Sequence, residues 1–429
     1  MDQQAKTLNE TLAGENPCLV DLLSEAGREL FFPKLGILSQ SAEAAGKRIN
    51  ATIGIALEEN GQPMHLQTIH KYLGQLQPKE VYPYAPSPGK KELRAIWKEM
   101  LFKKNPGLAG KEFSEPVVTG ALTHGLSTAA ELFLNRGDEI IIPQPYWENY
   151  DLMFLSKKGA RISTFDLFSG RGFNLSGLAD SLKGQSKALL LLNFPNNPTG
   201  YTPTVEEADQ IVKVIREAAD RGKGLVILVD DAYFGLVYEK GILTESLFSR
   251  LADLHERVIA VKLDGPTKED YVWGFRIGFI TYGVGGPGDK KKIYGALEAK
   301  TAGAIRADAS NMSHLGQSLL YKAYQDPEYW PEKQQKNDVL RSRYEAVNKA
   351  IRGDAYGQAF QALSYNSGYF MCVRLKNSDP EAVRKKLLAH YDTGVISVEP
   401  DLLRVAFSAT PNRLIPELFE NIYKACTSP

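Results

Sequence analysis

The segment from Ala188 to Asp231 constrains the fold more than any other part of the chain. Ala188-Leu189-Leu190-Leu191-Leu192 has no polar face, which is how a strand buried on both sides reads. It breaks at Asn193-Phe194-Pro195-Asn196-Asn197-Pro198-Thr199-Gly200, a string of turn-formers that must sit at the strand's end. Thr204 with Glu207 three residues on makes a capping box, and Ala208, Ile211, Val212, Ile215 and Ala219 then share one helical face up to a stop at Gly222. Leu225-Val226-Ile227-Leu228-Val229 is a second apolar strand, ending at Asp230-Asp231. Strand, helix and strand joined in this way cross over right-handed, with the strands parallel. Asn197 and Asp230 are therefore expected at the same edge of the sheet.

Further strand ends join that edge. Val258-Ile259-Ala260-Val261 opens into Asp264-Gly265-Pro266-Thr267-Lys268. Val117-Val118-Thr119 leads through Gly120 into a helix from about Leu122 to Leu134, and Ile140-Ile141-Ile142 leads into Pro143-Gln144-Pro145-Tyr146-Trp147. The alternation predicts an α/β fold whose large domain has a mostly parallel sheet between helices. Ligands of such sheets bind beyond the carboxyl ends of the strands. At roughly 100–200 residues per domain, 429 residues suggest more than one unit. The texture changes near residue 330. Pro331 to Ile351 is a long charged helical stretch, and Gly368–Val373 and Leu402–Phe407 read as strands of a smaller α+β domain over 330–429.

Composition narrows the partners. Lys and Arg total 51 against 51 Asp and Glu, without a basic block, so nothing favours nucleic acid or an anionic membrane; small molecules are the expected partners. Cys18, Cys372 and Cys426 are too scattered for a disulfide framework or a cysteine zinc site, and the six His residues form no ligand motif, so no metal is expected. Met1–Lys6 lacks an apolar signal core, and no stretch approaches the roughly 18 apolar residues of a membrane span. A cytoplasmic, soluble protein is expected.

A cluster of Asp, Lys, Arg, Asn, Tyr and Trp at strand ends suits pyridoxal 5'-phosphate. That cofactor needs a lysine amine for its aldehyde, a carboxylate for its ring nitrogen, donors to its phenolate oxygen, a cation for its phosphate and an aromatic plane for its ring. From about Ile49 to Pro411 the sequence resembles class I/II aminotransferases, pyridoxal-phosphate enzymes of fold type I, in a pattern similar to aspartate and aromatic amino acid aminotransferases. Asn196-Asn197-Pro198-Thr199-Gly200 matches the Asn-Pro-Thr-Gly signature, and the resemblance implies that Asn197 donates to the phenolate oxygen. Asp230-Asp231-Ala232-Tyr233 resembles Asp-x-Ala-Tyr, which assigns Asp230 to the ring nitrogen and Tyr233 to the phenolate; Asp231 is the rival carboxylate. Lys268 lies eight residues before Arg276 in Gly274-Phe275-Arg276-Ile277-Gly278, the spacing of the cofactor-linking lysine and a phosphate-binding arginine, with Lys262 as the alternative lysine. Where the family often has Ser or Thr three residues before the lysine, this chain has Gly265.

By the same resemblance, backbone N–H groups of Ala121, Leu122 and Thr123 meet the phosphate at a helix N-terminus. Trp147 stacks on the ring, and Arg404 grips the substrate carboxylate with Gly54 nearby. Phe370 lies by the substrate side chain. Tyr84 and Arg306 reach a neighbouring subunit's site, which implies a homodimer with shared sites; Met312-Ser313 replaces the two prolines that often follow the segment's Asn. The resemblance also places residues 1–65 against the small domain, leaving 66–329 as the large one. Lys268, Asp230 and Tyr233 are the expected catalytic residues. The implied function is amino transfer between an L-amino acid (aspartate, glutamate or aromatic) and a 2-oxo acid such as 2-oxoglutarate.

Other readings compete. A lyase or decarboxylase could use nearly the same residues, because the cofactor supplies the electron sink. Gly283-Val284-Gly285-Gly286-Pro287-Gly288 satisfies G-x-G-x-x-G, the mark of an NAD-dependent oxidoreductase, but Pro287 removes an amide and the loop lies late in the chain. A non-catalytic binding module would be expected to lack Lys268 or Asp230, and both are present.

Overall fold

The computed structural model describes residues 1–33, 36–184, 186–353, 356–398 and 400–428, and gathers the apolar runs of mid-chain into one sheet. Its strands are β1 (Val117–Thr119), β2 (Glu139–Gln144), β3 (Arg161–Asp166), β4 (Lys187–Asn193), β5 (Gly224–Asp230), β6 (Val258–Asp264) and β7 (Gly278–Val284). They lie in the order β1-β7-β6-β5-β4-β2-β3. β2 to β6 run parallel, and β7 runs against both of its neighbours. Between β6 and β7 there are only the turns Pro266–Glu269 and Trp273–Phe275. Without a crossover helix the chain returns antiparallel.

The sheet centre follows from side-chain chemistry. Leu189 to Leu192 are at most 1% exposed, and at about 1.5–3 kcal/mol per buried side chain this run anchors β4 between the two helical layers. Register pairs Asn193 with Asp230, so the turn-formers after β4 and the aspartates after β5 share one edge.

The helices that matter for the site are α1 (Ile37–Glu43), α2 (Lys91–Lys104), α3 (Ala121–Phe133), α4 (Val205–Asp220), α5 (Lys290–Asp308), α6 (His314–Tyr324) and α7 (Tyr329–Ala350). α4 starts with the expected capping box: Glu207 N–H donates to Thr204 Oγ1 at 3.1 Å and Thr204 N–H to the Glu207 carboxylate at 2.8 Å. Its buried face is Ala208, Ile211, Ile215, Ala218 and Ala219.

Beyond α7 lies an antiparallel sheet of β8 (Phe360–Ala362), β9 (Phe370–Leu375), β10 (Ile396–Val398) and β11 (Leu402–Ala406), in the order β8-β9-β11-β10. Ile49–Asn50 pairs in parallel with Thr393–Gly394. α1 reaches β10, where Ser397 N–H donates to Gln40 Oε1 at 2.7 Å. The loop after β4 is joined to the lead-in of β9: Asn366 and Ser367 N–H both donate to the Gly200 carbonyl at 2.9 Å. Gly200 has φ +73°, and a Cβ there would lie 1.9 Å from the Phe370 carbonyl oxygen, so glycine alone allows this approach.

The glycine-rich segment after β7 is not a phosphate loop. Lys290 Nζ donates to the carbonyls of Val284, Gly285 and Gly286, each at 2.8 Å, and a Cβ at Gly285 would lie 2.6 Å from His255 N. Its glycines serve packing, and its carbonyls face an ammonium where a dinucleotide site would present amides. Among the described residues no helix is long and apolar enough to cross a membrane, and no group of three or more His, Cys, Asp and Glu could hold a metal ion.

Candidate active site

The two aspartates that end β5 point to opposite chemistry. Asp230, 2% exposed, accepts from Tyr150 Oη at 2.6 Å on Oδ2 and from Ala232 N–H at 3.0 Å on Oδ1. Burial holds its carboxyl above the ordinary range, while Tyr150, Lys268 and the Ala232 amide pull the other way. Asp231 accepts from Ser246 Oγ at 2.5 Å and is ion-paired with Lys262. Lys262 sits inside β6 with no exposure, 3.4 Å from Asp264 as well. Burial would lower its pKa, but Asp231 and Asp264 outweigh it and keep the ammonium charged. Both alternatives left open by spacing, Lys262 and Asp231, are thus committed to each other.

Lys268 lies in the turn beyond β6. Its Nζ is 4.5 Å from the centre of the Tyr233 ring, and among the described residues the amine makes no hydrogen bond or ion pair. Burial pushes the amine down to about 8; Asp230 opposes that shift and Arg276 adds to it. Desolvation beside a single carboxylate yields an amine that can be neutral near physiological pH, the state a nucleophile or proton acceptor needs.

Asn197 and Tyr233 flank this centre. Asn197 N–H donates to Asn193 Oδ1 at 2.8 Å, which fixes the loop, and its Oδ1 accepts from Arg404 Nη1 at 3.2 Å. Burial raises the Tyr233 hydroxyl's pKa, with Arg404 opposing, so it stays a donor. Arg404, on β11 and 2% exposed, also donates from Nη2 to the Thr52 carbonyl at 2.9 Å and lies 4.3 Å from the Phe370 ring centre. Its Nε is buried without a partner. No carboxylate contacts this guanidinium among the described residues, so a ligand carboxylate would complete it. Gly54 is near: a Cβ there would be in ordinary contact with Phe370, 3.7 Å from Cζ. Trp147 is partly buried, edge-on to Tyr150 at 5.5 Å, and with Asn197 lines a cleft of about 1220 Å³ that also reaches Gln40, Glu43 and Arg384.

On the other side lies the N-terminus of α3. Gly120 precedes it without a side-chain cap, and Ala121, Leu122 and Thr123 open the helix, Ala121 with φ +64°. Gly278 crowds this turn, since a Cβ there would lie 2.7 Å from the Ala121 carbonyl carbon. The same crowding explains Gly265. A Cβ at 265 would lie 2.8 Å from Gly278 Cα, so the hydroxyl-bearing residue common at this position has no room. Uncapped amides and a helix dipole both favour negative charge at this end. Arg276 is exposed at φ +54°, close enough to act on Lys268.

Contacts link Lys268, Tyr233, Phe370, Arg404 and Asn197 in turn, with the Asp230 carboxylate close enough to act on Lys268, whereas Tyr84, 88% exposed, and Arg306, exposed and donating to Ser310 Oγ at 2.7 Å, face outward. Tyr150 was not among the sequence expectations. Its only signal is an aromatic one helical turn after Trp147, which reads equally well as core packing.

The residues present fit pyridoxal phosphate: a free amine beside a buried carboxylate, donors at Asn197 and Tyr233, and an open anion site. Among curated proteins, the chain is 28% identical over 268 residues to an aspartate aminotransferase of Bacillus sp. (strain YM-2), covering 62% of each. It is also 28% identical over 199 residues to a probable N-acetyl-LL-diaminopimelate aminotransferase of Bacillus subtilis (strain 168), covering 46% of this chain and 47% of that one. Each match thus spans less than two thirds of the relative's length. Among solved structures, an aminotransferase from Anaerococcus prevotii DSM 20548 superposes with a TM-score of 0.83 at 23% identity, over 95% of this chain and 100% of that one. An aromatic aminotransferase from Pyrococcus horikoshii OT3 gives 0.72 at 19%, over 91% and 98%. These two likenesses establish the fold, which is that of fold type I aminotransferases. The family model for aminotransferase class I and II matches residues 49–422. Since that match begins at the strand Ile49–Asn50 and ends inside the last helix, Ile415–Thr427, it takes in both sheets and every residue of the linked centre, and the chain belongs to this pyridoxal-phosphate-dependent family.

Proposed function

We propose that the chain transfers an amino group between an L-amino acid, aspartate, glutamate or aromatic, and a 2-oxo acid such as 2-oxoglutarate. The observation that carries this reading is an unpaired amine at Lys268 and, across Tyr233 and Asn197, a buried guanidinium at Arg404 with an unused Nε. One group suits proton transfer and the other suits a carboxylate, as an α-amino acid requires. Pyridoxal 5'-phosphate, when bound, supplies an aldehyde that exchanges amines and a ring that accepts the electrons released at Cα. Lys268 would hold the cofactor through its aldehyde and would carry the proton to and from the substrate Cα. Asp230 keeps the ring nitrogen protonated, and Tyr150 orients that carboxylate by its hydrogen bond. Asn197 and Tyr233 donate to the phenolate oxygen. Trp147 covers the ring. Ala121, Leu122, Thr123 and Arg276 hold the phosphate, and Arg404, with Gly54 beside it, orients the substrate.

We further infer a cytoplasmic homodimer with shared sites, in which residues 1–65 and 330–429 form the small domain and 66–329 the large one. The exposure of Tyr84 and Arg306 supports the dimer: both side chains face outward, and Arg306 is held within its own chain by Ser310 alone among the described residues. In it, Tyr84 reaches the phosphate of the second copy's site, and Arg306 a dicarboxylate side chain. Phe370 serves aromatic side chains.

A panel of amino acids with 2-oxoglutarate, followed by glutamate formation, tests the reading. Amino transfer without release of ammonia or carbon dioxide is expected; release of either without transfer would make the enzyme a lyase or a decarboxylase. Arg306→Ala should lower kcat/KM for dicarboxylates about ten- to a hundredfold and spare aromatic substrates. An equal loss for both classes would assign Arg306 a structural role.

A further inference from the structure

The two residues after Lys268 are acidic and almost wholly buried, Glu269 at 2% exposure and Asp270 at 0%. Three helices converge on them, and a fourth element reaches the carbonyl of Lys268 just before them. Lys333 Nζ, on α7, donates to Glu269 Oε2 at 2.6 Å and to Asp270 Oδ1 at 2.8 Å. Lys104 Nζ, at the end of α2, donates to Glu269 Oε1 at 3.0 Å. Tyr324 Oη of α6 and Tyr329 Oη of α7 donate to Asp270 at 2.9 and 2.7 Å. Tyr369, just before β9, donates to the carbonyl of Lys268 itself at 2.8 Å. The backbone immediately after the amine's Cα is thus tied to three helices and to the lead-in of β9, while among the described residues the amine itself makes no hydrogen bond or ion pair and lies over the face of Tyr233.

Burying such a charge cluster costs several kcal/mol per ion before pairing returns it, and apolar residues of similar volume often serve stability as well. Its placement is what calls for an explanation. Among the described residues, Lys333 is the one cation that contacts both carboxylates, and it lies on the helix leading from the large sheet to the small one.

We propose that Lys333 is a positioning residue for Lys268: by bridging Glu269 and Asp270 it locks the turn that presents the amine to the helix joining the two domains. The inference rests on the reading of Lys268 as the reacting amine. The direction in which Nζ leaves its turn is then set by the docking of α7, and a shift of that helix carries the amine with it. A loosened turn would leave the chemistry intact but misplace it, and misplacement of about 1 Å can cost on the order of a hundredfold.

The test begins with the parent holoenzyme, where borohydride reduction and peptide mass analysis identify the lysine bound to cofactor. An adduct elsewhere than Lys268 removes the underlying reading, whatever Lys333 does. With the adduct on Lys268, Lys333→Met and Lys333→Arg are compared for melting temperature, cofactor content, circular dichroism of the bound cofactor's visible band, kcat and KM. Lys333→Met should retain cofactor, show a diminished visible dichroism and lose kcat about ten- to a hundredfold, with KM within about twofold of the parent. Lys333→Arg should restore most of both. A lower melting temperature with parent kcat and parent dichroism would make Lys333 purely structural and overturn the proposal. If Lys333→Met does not fold, Tyr329→Phe and Tyr324→Phe each remove one donor to Asp270 without changing charge. A few-fold loss of kcat with altered dichroism is then expected, and parent values for both variants would overturn the proposal.

Discussion

Two lysines at the end of the same strand, one buried and one half-buried, are treated in opposite ways. Lys262 lies within β6, unexposed and enclosed by Asp231 and Asp264, each charge answered by another. Lys268, in the turn beyond, faces a tyrosine ring with an unpaired amine. The paired group keeps its proton; the unpaired one is pushed toward releasing it. A closed charge pair fixes a place in the structure, whereas an open one leaves energy for a ligand or a proton. The aspartates after β5 divide along the same line, Asp231 with the closed lysine and Asp230 toward the open one.

The sharpest way to break that contrast is to remove each lysine. Lys268→Ala should reduce turnover by about four orders of magnitude while the melting temperature holds or rises, since an unpaired buried amine contributes nothing to the fold. Retention of more than a tenth of parent turnover would end the assignment. Lys262→Met should do the reverse: two buried carboxylates lose their counter-charge, costing about 3–5 kcal/mol in a denaturant titration, with turnover of the folded fraction close to parent. Next are the carboxylates. Asp230→Asn should slow kcat about a hundredfold with little effect on stability, whereas Asp231→Asn should destabilise and spare kcat. An exchange of these two outcomes would swap their roles.

The smallest effect is a pH profile. In cofactor-free protein, acylation of Lys268 followed by mass spectrometry should rise with a midpoint near 8, against the ordinary lysine value of 10.5. Between these values the unfolded chain retains a proton that the folded chain has released. Stability of the cofactor-free protein should therefore rise with pH across that window. Lys268→Met should flatten that slope, and a midpoint near 10.5 would place the amine in solvent.

Much of this was legible because burial on both faces leaves an unbroken apolar run. β4, β5 and the capped helix between them follow from it, and so does the shared edge of Asn197 and Asp230. Strand direction was less accessible. β7 is as apolar as its neighbours, and only the absence of a crossover helix turns it around. The role of Lys268 came from its spacing to Arg276; no local property separates it from Lys262, which is the more deeply buried. Tyr150 and Lys333 escaped notice for opposite reasons. An aromatic near Trp147 resembles core, and a lysine on a long charged helix resembles a solvated face, yet each meets a buried carboxylate from a distant element.

The contact at Gly200 has a mechanical consequence. A loop whose carbonyl takes two amides from the lead-in of β9, with no space even for a methyl group against Phe370, behaves as a weld between the two sheets. Asn197 belongs to the welded loop and Phe370 to the welded strand, so the proposed phenolate donor and the aromatic ring proposed to face the substrate travel as one piece. Any relative movement of the two sheets would then have to pivot about this joint.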